Sequence, residues 1–281
     1  MTSHQHEIEL PDLRIVPIAD LMLHEQHDAQ RSIPLAMRLQ AEGVLKSPPI
    51  VAPIVDDCRF VVLDGANRVT ALSELGLEHI AVQVVDYEDP ELVLDTWSHL
   101  ISGFPCDEFS RLIGLLVGVQ IEAADLIRAR AELARRQALV YFSLPGDGVY
   151  TVCVEGELDY RTEVLNQIVD IYKSRGIIYR ANTDHLDQLL PDHDDVTALV
   201  VFPRYEPAEI IELARVGVRL PAGITRHIIP RRALRINFPL ALLQDARPLT
   251  EKNRSLQHWL KVKAANKEVR FYQESTYLFD E

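Results

Sequence analysis

The spacing of apolar residues along the first ninety positions changes period several times. "LRIVPI" (13–18) is a short apolar run that predicts a strand, and "AQRSIPLAMRLQAEG" repeats Leu35, Leu39 and their neighbours at helical spacing until Gly43 stops it. Between the two lies a polar corner, "LMLHEQHD". Consecutive prolines exclude helix from "SPPIVAPIV" (47–55), which reads as extended, and Asp56-Asp57 turns the chain into a strand, "RFVVL". "ANRVTALSELG" then predicts a helix ending at Gly76, and "HIAVQVVDY" (79–87) alternates as a strand. The result is a mixed α/β unit of about 90 residues, an ordinary domain size.

Helical patterns dominate 91–138 through "PELVLDTWSHLI", "DEFSRLIGLLVG" and "EAADLIRARAELARRQAL". "GVYTVCV" (148–154) alternates as a strand, "YRTEVLNQIVDIYKSRG" is an amphipathic helix closed by Gly176, and "GIIYRA" and "VTALVVF" read as buried strands. "PAEIIELARVG" (207–217) is a helix with Pro in its first turn, where the missing N–H costs nothing. "PAGITRHIIP" (221–230) reads as a loop. Two α/β domains are expected, residues 1–102 and 103–281.

Composition narrows the classes. Of 281 residues, 47% are hydrophobic and 25% charged, and no apolar run approaches the roughly 18 residues that span a bilayer, so a membrane protein is not expected. "MTSHQHEIELPD" lacks the basic and apolar regions of a signal peptide, which predicts a cytoplasmic location. The three cysteines lie far apart and read as buried small hydrophobes. The net charge of −13 is uneven: residues 1–102 hold 6 Lys and Arg against 17 Asp and Glu, and the remainder 23 against 25. An acidic surface repels phosphate at long range, so DNA is an unlikely partner. Residues 219–281 reverse the sign, with 12 Lys and Arg against 6 Asp and Glu, and read either as a solvated face or as one that meets an anion.

Four places carry candidate chemistry. At "VLDGANR", a strand ends in Asp-Gly and a helix begins directly, which aims free backbone N–H groups at one point. Gly65 permits close approach, Asn67 can donate, Arg68 can fork onto phosphate oxygens, and Asp64 could hold Mg²⁺. An Asp-capped helix with an ordinary surface arginine fits the same residues, since neither common phosphate-loop pattern is present. In "LHEQHD", Glu25 suits a general base, whereas His24, His27 and Asp28 supply only part of a metal-ligand pattern and equally suit a solvated turn. Trp97 reads as a helical-face aromatic, in the core or at a site. Thr225, Arg226 and His227 offer a hydroxyl, a bidentate cation and an imidazole, a set suited to a carboxylate or phosphate.

Taken in order, "PIADLMLHE" (17–25), "GVLKSPPI" (43–50) and "VVLDGANRVTALSELG" (61–76) resemble the N-terminal domain of the ParB/sulfiredoxin-like superfamily. "TW" (96–97) and "TRHIIP" (225–230) are similar to its free serine kinase branch, so the resemblance runs over nearly the whole chain. It implies a ParB/sulfiredoxin-like domain followed by a second α/β domain with the active site at their interface, and transfer of a phosphoryl group from ATP or ADP to free L-serine, giving O-phospho-L-serine. Carried over by motif, Glu25 and Asp64 are catalytic, and Asp64, Gly65, Ala66, Asn67 and Arg68 bind the nucleotide with Mg²⁺ on Asp64. Trp97, Thr225, Arg226 and His227 then bind serine. The archaeal pattern has two histidines where this chain has Ala66-Asn67, which looks more like the bacterial ATP-using form. The alternative is a ParB-like nucleotide- or haem-responsive regulator, or a DNA-binding protein, without kinase activity.

Overall fold

The computed structural model describes residues 10–146 and 148–272, and the chain falls into two compact units. The first takes the chain up to Leu21, Asp28–Glu91 and everything from Ile229; the second takes Met22–His27 and Leu92–Ile228. These bounds differ from a single division at 102. The short segment 22–27 goes with the second unit because its backbone bonds to Leu220: Gln26 N–H to the Leu220 carbonyl, and Leu220 N–H to the His24 carbonyl, each at 2.8 Å.

Up to residue 91 the elements are β1 (Leu13–Pro17), β2 (Leu21–Leu23), α1 (Ala29–Glu42), β3 (Val44–Leu45), β4 (Ile50–Pro53), β5 (Phe60–Asp64), α2 (Ala66–Glu74) and β6 (His79–Val84). Strands β1, β6, β4 and β5 lie side by side in that order, and β4 runs parallel to β6 while the other pairs are antiparallel. Val51, Val61, Leu72 and Ile80 are fully buried in this unit's core. The expected elements are all present, α1 being capped by the Asp28 side chain on Gln30 N–H and ended by Gly43 in a left-handed conformation.

The second unit contains β7 (Val93–Thr96), β8 (Ser98–Ser102), α3 (Cys106–Gly114), β9 (Gln120–Ala124), α4 (Leu126–Ala134) and β10 (Ala138–Leu144). β11 (Gly148–Cys153), α5 (Leu158–Lys173), β12 (Ile177–Ala181), β13 (Val196–Val201), α6 (Pro207–Val216) and β14 (Thr225–Ile228) follow. Six strands form a sheet in the order β12-β8-β13-β10-β11-β9, every pair antiparallel. Adjacent residues of β10 serve opposite faces, as the pleat requires. Phe142 meets Phe109 of α3 with ring centroids 5.1 Å apart, while Tyr141 joins Ala129 and Leu133 of α4.

Four readings of the sequence change here. Residues 93–96 and 98–102 are strands, not helix: all five residues of β8 are buried between β12 and β13, and a strand covered on both faces loses the alternation that would distinguish it. β12 is an edge strand that exposes Ile177 and Tyr179, so it is not buried. "TRHI" is strand β14, paired with β7, not loop. The cysteines are not the buried small hydrophobes expected: Cys58 is exposed, Cys106 and Cys153 are partly exposed, and all three are free thiols.

β15 (Phe238–Pro239), α7 (Ala241–Gln244) and α8 (Leu249–Ala265) return to the first unit. α8 closes the open edge of β1 with side-chain amides. Asn253 accepts from Ile15 N–H at 2.9 Å and donates to the Ile15 carbonyl at 2.8 Å, and Gln257 donates to the Leu13 carbonyl at 3.0 Å. Edge groups that could template pairing with another strand are thereby satisfied within the chain. Among the described residues no helix is long and apolar enough to cross a membrane.

One buried histidine makes the second unit acid-sensitive. His99 on β8 is 2% exposed, its Nδ1 lies 2.9 Å from the Tyr172 hydroxyl, and burial, helped by the nearby Arg180 charge, pulls its pKa down to about 4 against a backbone hydrogen bond to Gly223 that opposes the change. A histidine whose folded pKa is depressed contributes stability that is present above its unfolded value near 6.5 and is lost as the pH falls towards the folded value. Unfolding midpoints should therefore drop between about pH 6.5 and 4, by up to about 3 kcal/mol from this group. Urea titrations across that range check this, and the His99→Gln protein, though less stable at neutral pH, should show a flatter acid limb.

Candidate functional site

In the first unit, β5 delivers the chain to Asp64 and Gly65 turns it into α2. Gly65 has φ 102°, and a Cβ there would stand 3.0 Å from both Cα and Cβ of Pro49, so the turn needs glycine for its conformation and for its close neighbour. No side chain caps α2. Arg68 and Val69 N–H already bond to the Gly65 carbonyl, which leaves the N–H groups of Ala66 and Asn67 as the outward donors of the first turn. Asn67 accepts from Asp28 N–H at 2.9 Å, tying the start of α1 to the start of α2, so its amide nitrogen is the part left to donate.

Arg68 differs from its expected use. One guanidinium nitrogen donates to the carbonyls of Ser47 and Pro48, at 2.9 Å each, and another reaches Asp64 Oδ2 at 3.2 Å. Most of its fork thus braces the proline turn beneath the corner. Arg232, which the sequence reading did not single out, donates to the same Asp64 oxygen. Burial pushes the Asp64 carboxyl up, but the charges and hydrogen bonds of Arg68 and Arg232 outweigh it and hold the pKa below the ordinary carboxylate value. Beside the corner is a cavity of about 290 Å³ lined by leucines, among them Leu234, and by polar and charged side chains that include Glu42, Lys46, Ser47 and Arg68.

The donor set bears on Mg²⁺. Among the described residues no cluster of three His, Cys, Asp or Glu side chains could hold a metal, so a site made of protein ligands alone is absent there. A lone carboxylate, Asp64, beside helix N–H donors fits an ion that takes most of its ligands from phosphates and water, the usual habit of Mg²⁺.

In the second unit, Glu25 is held by three donors. Its Oε1 accepts from Thr225 N–H at 2.7 Å and from the Thr225 hydroxyl at 2.5 Å, and its Oε2 accepts from Gly223 N–H at 2.9 Å. The Thr225 hydroxyl has one proton, which this bond uses, so His24 Nε2, 2.9 Å away, is the donor in its contact with Thr225 Oγ1. His24 is buried and its ring meets that of His227 edge-on, with centroids 5.3 Å apart. Gly223 lies at φ 79°, and a Cβ on it would overlap the Arg180 guanidinium.

β7 and β14 form a two-stranded ribbon in which Thr225 is opposite Thr96 and Arg226 opposite Asp95. Alternation puts Thr225 and His227 on one face, with His24 and Glu25, and Arg226 on the other. There the Arg226 guanidinium carbon lies over the Trp97 ring, 4.3 Å from its centre. Trp97 lies between two strands, not on a helix, and is half-buried. The expected serine-binding residues therefore divide into two groups. A larger cavity of about 730 Å³ on the α4 side of the sheet is lined by none of them; its Arg130 and Asp184, and its Arg136 and Glu209, pair with one another.

The sequence reading missed Arg232 and Gly223. For Gly223 there was a signal, since Pro-x-Gly marks a turn that needs a left-handed residue. Arg232 stood out only as part of a basic run.

No family model matches the chain. Among curated proteins, the chain is 25% identical over 284 residues to the ATP-dependent L-serine kinase SbnI of Staphylococcus aureus, covering 99% of this chain and 100% of that protein. It is 25% identical over 236 residues to the ATP-dependent L-serine kinase of Staphylothermus marinus, covering 82% of this chain and 90% of that one. Among solved structures, a free serine kinase in complex with AMP matches with a TM-score of 0.71 at 16% identity, over 84% of this chain and 95% of that chain. The fold is thus shared with that kinase structure, and the sequence similarity extends over most or all of the two curated proteins.

Proposed function

We infer that this protein is a free L-serine kinase, which transfers a phosphoryl group from ATP or ADP to the serine hydroxyl and releases O-phospho-L-serine. The observation that carries this reading is the state of Glu25. A carboxylate offers about four lone-pair sites. Thr225 takes both on Oε1 and Gly223 takes one on Oε2, which leaves a single acceptor position, on Oε2, for a substrate proton. No cation among the described residues pairs with Glu25, so that position is not spent on a salt bridge.

In this reading the serine oxygen attacks the terminal phosphorus, its proton passes to Glu25 Oε2, and the bond to the departing nucleotide breaks. The N–H groups of Ala66 and Asn67 meet donor phosphate oxygens at the start of α2, where a helix favours negative charge. Mg²⁺ held by Asp64 would supply charge neutralisation on those phosphates. Arg68 positions the corner through Ser47 and Pro48. Arg226, over the Trp97 ring, would supply the cation for the serine carboxylate, while Thr225 and His227 shape the face that carries Glu25. Transfer requires the reacting atoms to come within about 3–3.5 Å. Use of a cellular nucleotide pool makes the cytoplasm its place of work.

The direct test incubates the purified protein with Mg²⁺ and L-serine, with ATP and ADP in parallel and threonine and homoserine as competing acceptors. Phosphoserine is expected, with ATP the better donor, in line with the two ATP-dependent relatives and with Ala66-Asn67. Absence of phosphoserine with both donors rejects the reading.

Gly65→Ala should weaken ATP binding at least tenfold and lower stability by roughly 1–3 kcal/mol, the usual cost of a side chain in a left-handed position compounded by contact with the Pro49 backbone. Calorimetric titration and thermal unfolding measure the two effects separately.

A further inference from the structure

We propose that Arg232 is a mobile phosphate-binding arm of the nucleotide corner, which occupies Asp64 while no nucleotide is bound and moves to the terminal phosphates when Mg²⁺ and ATP arrive. The inference rests on the nucleotide reading above. Arg68 is largely spent on Ser47, Pro48 and Asp64, so the corner needs another cation for a triphosphate. Arg232 donates one guanidinium nitrogen to Asp64, and its other N–H groups meet no acceptor among the described residues.

The backbone around Arg232 is built to hold it there. Gln83, a 3% exposed residue near the end of β6, donates from Nε2 to the Arg231 carbonyl at 3.0 Å and accepts from Ala233 N–H on Oε1 at 2.8 Å, so it grips the chain on both sides of Arg232. Arg235 N–H reaches the Ser47 hydroxyl at 3.2 Å, which joins the arm to the turn that Arg68 braces. Arg231, Arg235 and Asn237 adopt φ of 51°, 51° and 50°. Left-handed non-glycine residues persist where surroundings over-determine them, and they gather at ligand clamps. Leu234, two residues on from Arg232, lines the cavity beside the corner. Arg68 and Arg232 share Asp64 Oδ2, so a divalent metal on Oδ1 would set its charge beside the Arg232 guanidinium and favour release of the arm.

ATP and AMP affinities measured by calorimetry with Mg²⁺ test this. Arg232→Gln should weaken ATP roughly ten- to hundred-fold, the worth of a hydrogen bond to a charged group, and AMP less than threefold. Arg232→Lys should recover part of the loss. In nucleotide-free protein, Mn²⁺ should bind Arg232→Gln several-fold tighter than the parent, because its competitor for Asp64 is gone. Gln83→Leu, which removes both clamping bonds at similar volume, should show the same ATP-selective loss to a smaller extent, and it decides the matter should Arg232→Gln fold poorly. Equal loss for ATP and AMP, or unchanged ATP affinity, overturns the proposal. A parent protein that binds neither nucleotide removes the nucleotide reading itself, and the arm with it.

Discussion

Phosphoserine formation should fall roughly 10²–10⁴-fold when Glu25 becomes glutamine, the range spanned by removal of a general base. The loss should appear in kcat, with ATP affinity unchanged, because Glu25 is not among the residues proposed to bind the nucleotide. Glutamine keeps one carbonyl oxygen but turns the other acceptor into a donor. That NH₂ would face either Gly223 N–H or the two donors of Thr225, so one contact becomes donor against donor. A modest drop in thermal midpoint is therefore expected alongside intact secondary structure. Glu25→Asp provides the contrast: it keeps the charge but shortens the reach, and should retain more activity than Gln. A Glu25→Gln enzyme with near-parent kcat would exclude Glu25 as the base.

Asp64→Asn should be comparably severe by a different route. Loss of a preorganised electrostatic group costs roughly 10²–10³-fold in kcat, and here Mg²⁺-dependent ATP affinity should fall as well. The change also leaves Arg68 and Arg232 facing a neutral amide. Breaking a fully buried pair costs roughly 3–5 kcal/mol. The Asp64 side chain is 38% exposed and screened by solvent, so about 1–2 kcal/mol is the expected loss of stability at neutral pH. The sign follows from the depressed carboxyl: its contribution is present above the unfolded carboxylate pKa and disappears as the pH falls through the lower folded value, so parent and variant should converge in acid. ATP titrations with and without Mg²⁺, and urea unfolding at pH 7 and in acid, measure the two effects.

The corner at Asp64 was open to reading because its geometry is local. A strand that ends in Asp-Gly and a helix that starts at the next residue place the helix donors whatever the rest of the chain does. Residues 93–102 illustrate the opposite case: β8, Ser98–Ser102, is buried throughout although it mixes polar and apolar residues, and its pattern carried no trace of which neighbours cover it. α8 went unread for a related reason. Its inward face carries Lys252, Asn253 and Gln257 among Leu256 and Leu260, polar groups that bond to the Leu243 carbonyl and to β1, so helical periodicity in hydrophobicity is weak.

By itself, then, the order of residues determined the mixed α/β class, the strand-to-helix corner at Gly65 and, through motif order, the kinase resemblance, because each depends on neighbours in the chain or on residue identity alone. Only the tertiary structure decided that Glu25 is gripped by Gly223 and Thr225 from 200 residues away, that Arg226 parts from Thr225 across a ribbon, and that Arg232 lies on Asp64. Those are pairings across long stretches of chain, set by which backbone donors and carboxylates the packed units bring within about 3 Å, and no local pattern encodes such a distance.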